Sequence, residues 1–134
     1  MDIAVQRYGH RGSLWITRFC FITLEGMKVA AVQLTSTGNI TENQEIALAK
    51  IREAAGNGAR LIVLPEATSQ NFRSGRLDEQ AQSLEGPFAT AIQALAEELE
   101  VTVVAGMFCP ADTVERDGKT INRVSNTALI AGPG

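Results

Sequence analysis

Leu61-Ile62-Val63-Leu64-Pro65-Glu66 decides the reading of this chain: four consecutive apolar residues, a proline, then a carboxylate. A short unbroken apolar run is the pattern of a strand covered on both faces, as in a parallel sheet flanked by helices or by another sheet. Pro65 has no N–H to give to a ladder, so the strand ends there and Glu66 stands at its C-terminal mouth. A carboxylate in that place can move a proton, although it can also cap a following segment or pair with an arginine.

Elements of alternating period flank this run. Upstream, Val29-Ala30-Ala31-Val32-Gln33-Leu34 reads as a strand, and a helix follows with capping-box spacing at Thr41 and Gln44. Leu48, Ile51 and Ala55 give that helix an apolar stripe, and Gly56-Asn57-Gly58 supplies a left-handed C-terminal cap. Downstream, residues 68–86 are polar and form a surface loop with a short helix near Leu77 to Ala81, positioned to shape a pocket. Pro87 suits the first turn of a second helix, and Phe88, Ile92, Leu95, Ala96 and Leu99 fall on one face of it. Val101 to Phe108 and Val124 to Ala131 are two further strands, joined by the polar segment Asp112 to Asn122, in which Asp117-Gly118 is the turn. The order strand, helix, strand, helix, strand, strand specifies an α/β sheet with parallel neighbours and a terminal hairpin.

Composition bounds the function classes. The 134 residues, 45% apolar and 20% charged, suit one domain of ordinary size. A net charge of -3 provides no basic field, so neither nucleic acid nor an anionic membrane is an expected partner. Cys20 and Cys109 are too few for a disulfide framework and too isolated for a zinc site, which points to a reducing, cytoplasmic setting, with no metal and no cofactor expected. The first 26 residues hold the only His, Trp and Tyr; Arg18 interrupts their apolar stretch, and no signal-peptide cleavage pattern follows. They are expected to be a disordered extension, or to precede a natural start at Met27, with residues 27–134 forming the domain.

Together, Lys28 to Leu34, Gly58 to Glu66, Val103-Val104-Ala105-Gly106 and Asn126-Thr127-Ala128 resemble the N-terminal half of the nitrilase superfamily of carbon-nitrogen hydrolases. The resemblance covers almost all of residues 27–134 and rests on the order and spacing of these motifs. It implies an α/β fold that is the N-terminal half of an α-β-β-α four-layer sandwich, assembled as a homo-oligomer with its sheets extended across a dimer. It also implies a Glu-Lys-Cys mechanism on a small amide substrate, and Glu66 matches the Glu. In such a mechanism a carboxylate takes the thiol proton, because a thiol near its ordinary pKa is mostly protonated and weakly nucleophilic at neutral pH.

The family's Lys and nucleophilic Cys follow the point where this sequence ends. Cys109 follows a strand and precedes Pro110, unlike the family's nucleophile at a sharp strand-to-helix turn, and Cys20 lies in the unmatched extension. His10, also outside the match, leaves no Ser-His-Asp or Cys-His triad. Asn126 matches a recurrent family position and is assigned a structural role. The expected function is therefore that of an amidase-type carbon-nitrogen hydrolase truncated at its C-terminus and inactive alone. The alternative is a non-catalytic half-domain that associates with itself or with a complementary chain, because half a sandwich exposes an apolar sheet face.

Overall fold

Two βαβ connections organise the molecule, a computed structural model that describes residues 3–8, 17–24 and 26–133. Strand β1 (Ile3–Tyr8), β2 (Thr17–Leu24), β3 (Met27–Gln33), β4 (Leu61–Val63), β5 (Thr102–Arg116) and β6 (Lys119–Ala131) form one six-stranded sheet in chain order. Helix α1 (Ile40–Gly56) joins β3 to β4, and α2 (Pro87–Glu98) joins β4 to β5. β3, β4 and β5 are parallel, and every other pairing is antiparallel. Both crossovers step the same way along the sheet, so right-handed connections put both helices on one face, where they pack together.

The register shows how that face is filled. Ala30 pairs with Ile62, and Ile62 with Val103; all three are fully buried, as are Ala105 and Met107 further along β5. Ile51, Ala47 and Ala54 of α1 and Phe88, Ile92 and Ala96 of α2 complete this core. The other face is different. Val63, expected to be covered, is 36% exposed, and Ile130, across from Val104, is 71% exposed. The apolar run at 61–64 thus has helices against Ile62 and Leu64 only.

Capping chemistry sets the helix ends. Asn39, rather than the Thr41 and Gln44 pair, caps α1: its Oδ1 accepts from the backbone N–H groups of Thr41 and Glu42 at 2.9 and 3.1 Å. The β-region backbone of Asn39 aims its short amide at those free donors, whereas Thr41 is already inside the helix. At the other end Gly58 has φ +87° and donates to the Ala55 carbonyl, the expected left-handed cap. Pro87 begins α2 as read, and Leu77–Glu79 is one 3₁₀ turn. The polar segment 112–122 is not a loop. β5 and β6 continue as a long exposed hairpin that closes at Asp117 and Gly118, both with positive φ. Polar sequence conceals a strand there because both of its faces meet water. At the foot of the hairpin Asp78 accepts from Arg76 and from Asn122, and the Arg76 hydrogen bonds hold its carboxyl below the usual carboxylate range.

Residues 3–8 and 17–24, read from sequence as part of a disordered extension, are strands of the sheet, which corrects that expectation for these residues. The physical reason is aromatic burial. Phe19 pairs with Val32 and Phe21 with Ala30, the two rings stack 5.8 Å apart, and they are 1% and 7% exposed on the helix side. Lys50 Nζ lies over the Phe19 ring, 5.3 Å from its centre, and Lys28 Nζ over that of Phe21 at 5.7 Å, so each ring face meets a cation. Among the described residues no helix is long and apolar enough to cross a membrane. His10 and Trp15 lie outside the described residues. If β2 belongs to the folded unit, Phe19→Ala lowers unfolding stability by about 3 kcal/mol or more in urea titrations; an unchanged midpoint would remove β2 from it.

Candidate functional site

Beyond Val63 the chain keeps running beside β5 although it is no longer a regular strand. Leu64 N–H donates to the Val104 carbonyl at 2.8 Å, Gly106 N–H to that of Pro65 at 3.1 Å, and Ser69 N–H to that of Gly106 at 3.2 Å. Pro65 therefore supplies the acceptor that the ladder needs, and its missing N–H costs nothing. Glu66 follows and crosses directly over Gly106. A Cβ built at Gly106 would lie 1.6 Å from the Glu66 carbonyl oxygen and 2.2 Å from its carbon, so any side chain there would expel the Glu66 backbone.

Buried polar side chains brace the loop from behind. Thr68 Oγ1 donates to the Pro65 carbonyl at 2.6 Å, and Ser69 Oγ accepts from Phe108 N–H at 3.2 Å. Asn43, 1% exposed, donates through Nδ2 to the carbonyls of Ser69 and Thr37 and accepts the Thr37 N–H at 2.6 Å. Asn71 reaches the same β3–α1 connection through Ser36 and Thr37. Each bond satisfies a backbone group that the irregular path would leave unpaired away from water. Sequence reading missed Asn43, and its signal was a polar residue in the first turn of α1, in line with the buried stripe Ile40, Ala47, Ile51 and Ala54.

The carboxylate itself projects to the sheet face opposite the helices. Side chains alternate along β5, so Val103, Ala105 and Met107 face α1 and α2, while Val104, Gly106 and Phe108 face the other way. Asn126 pairs with Phe108 and shares that second face, and its Nδ2 donates to Glu66 Oε1 at 2.5 Å. The site wall continues with Phe72, exposed on the loop after Glu66, whose ring meets Phe108 edge to face at 5.2 Å. Asn126, assigned a purely structural role from sequence, thus contacts the one candidate catalytic group.

The two cysteines lie elsewhere. Cys109 is three residues beyond Gly106, which by alternation places it on the helix side, in a shallow groove with Ser83, Leu84, Glu85, Pro110, Ser125 and Thr127. The sheet separates it from Glu66. Cys20 pairs with Ala31 and shares the Glu66 face, but it is two strands from β4, about 10 Å across the sheet at ordinary strand spacing. Neither geometry presents a thiol to the carboxylate.

Comparison with known proteins establishes the family and the fold. Residues 28–134 match the family described as carbon-nitrogen hydrolase. Hydrolase Rv0480c of Mycobacterium tuberculosis is 38% identical over 109 residues, covering 81% of this chain and 35% of that protein. The deaminated glutathione amidase of Synechocystis is 34% identical over 104 residues, covering 78% of this chain and 36% of its own length. In structure, an amidase from Nesterenkonia sp. superposes with a TM-score of 0.61 at 17% identity, covering 84% of this chain and 41% of that one, a likeness of fold. The chain spans about a third of the length of the relatives it matches. It belongs to the carbon-nitrogen hydrolase family, and its fold is the α/β fold of that family, represented by the N-terminal sheet and its helix layer. Gly106→Ala is expected to destabilise the chain by about 3 kcal/mol, as overpacking against fixed backbone does, measured by chemical denaturation; a variant of native stability would mean that Glu66 does not rest on Gly106.

Proposed function

We propose that Glu66 is the proton-transfer carboxylate of an amidase-type carbon-nitrogen hydrolase acting on a small linear amide through a Glu-Lys-Cys mechanism, of which this chain supplies the Glu. The observation that carries the reading is the placement of Glu66. Its backbone is locked over Gly106 at the end of a parallel strand, and its carboxylate is exposed on an open sheet face. Relatives described as amidases support the reaction class.

In this reading Glu66 accepts the proton of a cysteine thiol as sulfur attacks the amide carbonyl carbon. The tetrahedral oxyanion is stabilised by the Lys ammonium. Collapse breaks the carbon-nitrogen bond, and the leaving amine takes the proton back from Glu66. Glu66 then removes a proton from water as it attacks the thioester; collapse breaks the carbon-sulfur bond, frees the acid, and the leaving sulfur takes that proton back from Glu66. Among the described residues no lysine forms an ion pair with Glu66 and neither cysteine is presented to it, so in this reading the 134-residue chain by itself does not turn over amides. The reading also places the working protein in the cytoplasm, without metal or cofactor, and with neither nucleic acid nor membrane as partner.

An alternative is favoured by one specific feature, the uncovered apolar face formed by Val63, Val104, Ala31 and Ile130. A half-domain with this face would associate with itself or with a complementary chain, with no chemistry required of Glu66.

Two experiments separate these readings. The purified 134-residue chain is expected to release no ammonia from a panel of short linear amides. The native protein as isolated from its source is expected to do so, with Glu66→Gln lowering kcat by about 10²- to 10⁴-fold. Turnover by the isolated chain that survives Cys109→Ala and is lost in Glu66→Gln would overturn the claim that partners are missing. For the alternative, sedimentation of the chain should show dimers or larger species that Ile130→Glu returns to monomer; a monomeric wild-type chain would sink it.

A further inference from the structure

Glu66 is held at both ends by different devices, and only one of them is backbone. The loop fixes its Cα over Gly106, but three side-chain torsions remain between that anchor and the carboxylate. Left to itself, an exposed glutamate samples several rotamers and loses conformational freedom each time it must present an oxygen in one direction. Asn126 offers that carboxylate a fixed donor. It sits in the regular part of β6, opposite Phe108 in the β5 ladder, so its amide is carried by a strand rather than by a loop. The two residues are 60 apart in sequence, and their contact at 2.5 Å exists only because the sheet brings β4 and β6 to either side of β5.

The chemistry of the donor is informative. An amide facing a carboxylate must present its NH₂, since two oxygens would repel each other. It binds one oxygen without contributing charge, whereas an arginine would grip both oxygens and neutralise them. Among the described residues Glu66 has no ion-pair partner, and Oε1 is the oxygen that Asn126 holds.

We propose that Asn126 is a positioning residue for Glu66. It tethers Oε1, so that Oε2 is left as the oxygen that receives the thiol proton and returns it to the leaving amine. This rests on the function proposed for Glu66 above and adds to it a division of labour between the two carboxylate oxygens. The small amide at 126 and the missing side chain at 106 then act as a pair, one fixing the direction of the carboxylate and the other its origin.

The test uses both the 134-residue chain and the native protein. In the isotope-labelled chain, three-bond scalar couplings are expected to report one rotamer about each of the first two Glu66 torsions. In Asn126→Ala and Asn126→Asp these couplings average over rotamers, while the melting temperature stays within a few degrees of wild type, because a merely structural asparagine would move stability instead. Averaged couplings in the wild-type chain, or a single rotamer persisting in Asn126→Ala, would overturn the proposal. In the native amide-hydrolysing protein Asn126→Ala is expected to lower kcat about 10- to 100-fold, the scale of a misdirected catalytic group, with KM changed by less than about threefold. An effect on KM alone would also overturn it. No amide turnover by the native wild-type protein would defeat the role of Glu66 itself, and the positioning role with it, while the couplings would still show whether the tether forms.

Discussion

The close approach of the Glu66 backbone to Gly106 is the constraint on which the site depends. A strand that ended at Val63 and simply turned away would leave its last carbonyls and those of β5 without partners. The chain instead continues in contact with β5, exchanging hydrogen bonds through Leu64, Pro65 and Ser69, and it can do so only where β5 offers no side chain. Close packing turns this local vacancy into a positional constraint, since neither backbone can shift by an ångström without losing bonds. Asn43, Thr68 and Ser69 then brace the loop with buried hydrogen bonds. The rigid origin of the Glu66 side chain is thus a property of β5 and of the loop together.

The second organising fact is that the sheet has two unlike faces. Handedness places both helices on one side, and the core from Phe19 to Ala131 fills that side completely. The opposite side carries the carboxylate, its asparagine and a band of aliphatic side chains in the open. Catalytic acids work best where water is scarce and dipoles are fixed. An apolar surface around Glu66 would provide such a setting once covered, which is why the amidase reading and the association reading draw on the same face.

Much of the fold could be read in advance. The periods of 29–34, 88–99 and 101–108, the cap at Gly58 and the turn at Asp117-Gly118 are short-range signals, and each is present in the structure. The misreadings share a cause. The hairpin arms between 112 and 122 are polar because both faces meet water, so no alternation marks them. The strand at 17–24 includes an arginine within its apolar stretch and looked appended, yet Phe19 and Phe21 are buried beside β3, their hairpin partner, and under Lys50 of α1, which is distant along the chain. Asn39 displaced Thr41 as the cap because backbone conformation, which side-chain type does not specify, decides which residue faces the free N–H groups.

By itself the sequence determined the α/β class, the family resemblance and the candidacy of Glu66, because these follow from local pattern and from the order of motifs along the chain. It could not decide what Glu66 touches. Asn126 read as a structural residue at a recurrent family position, Gly106 as the last residue of a strand motif, and Cys109 as a thiol unlike the family's nucleophile. Tertiary structure placed the asparagine against the carboxylate, the glycine beneath its backbone and the cysteine on the far side of the sheet. The physical reason is that strand pairing joins residues 40 and 60 positions apart, while the alternation of side chains sends neighbours in sequence to opposite faces.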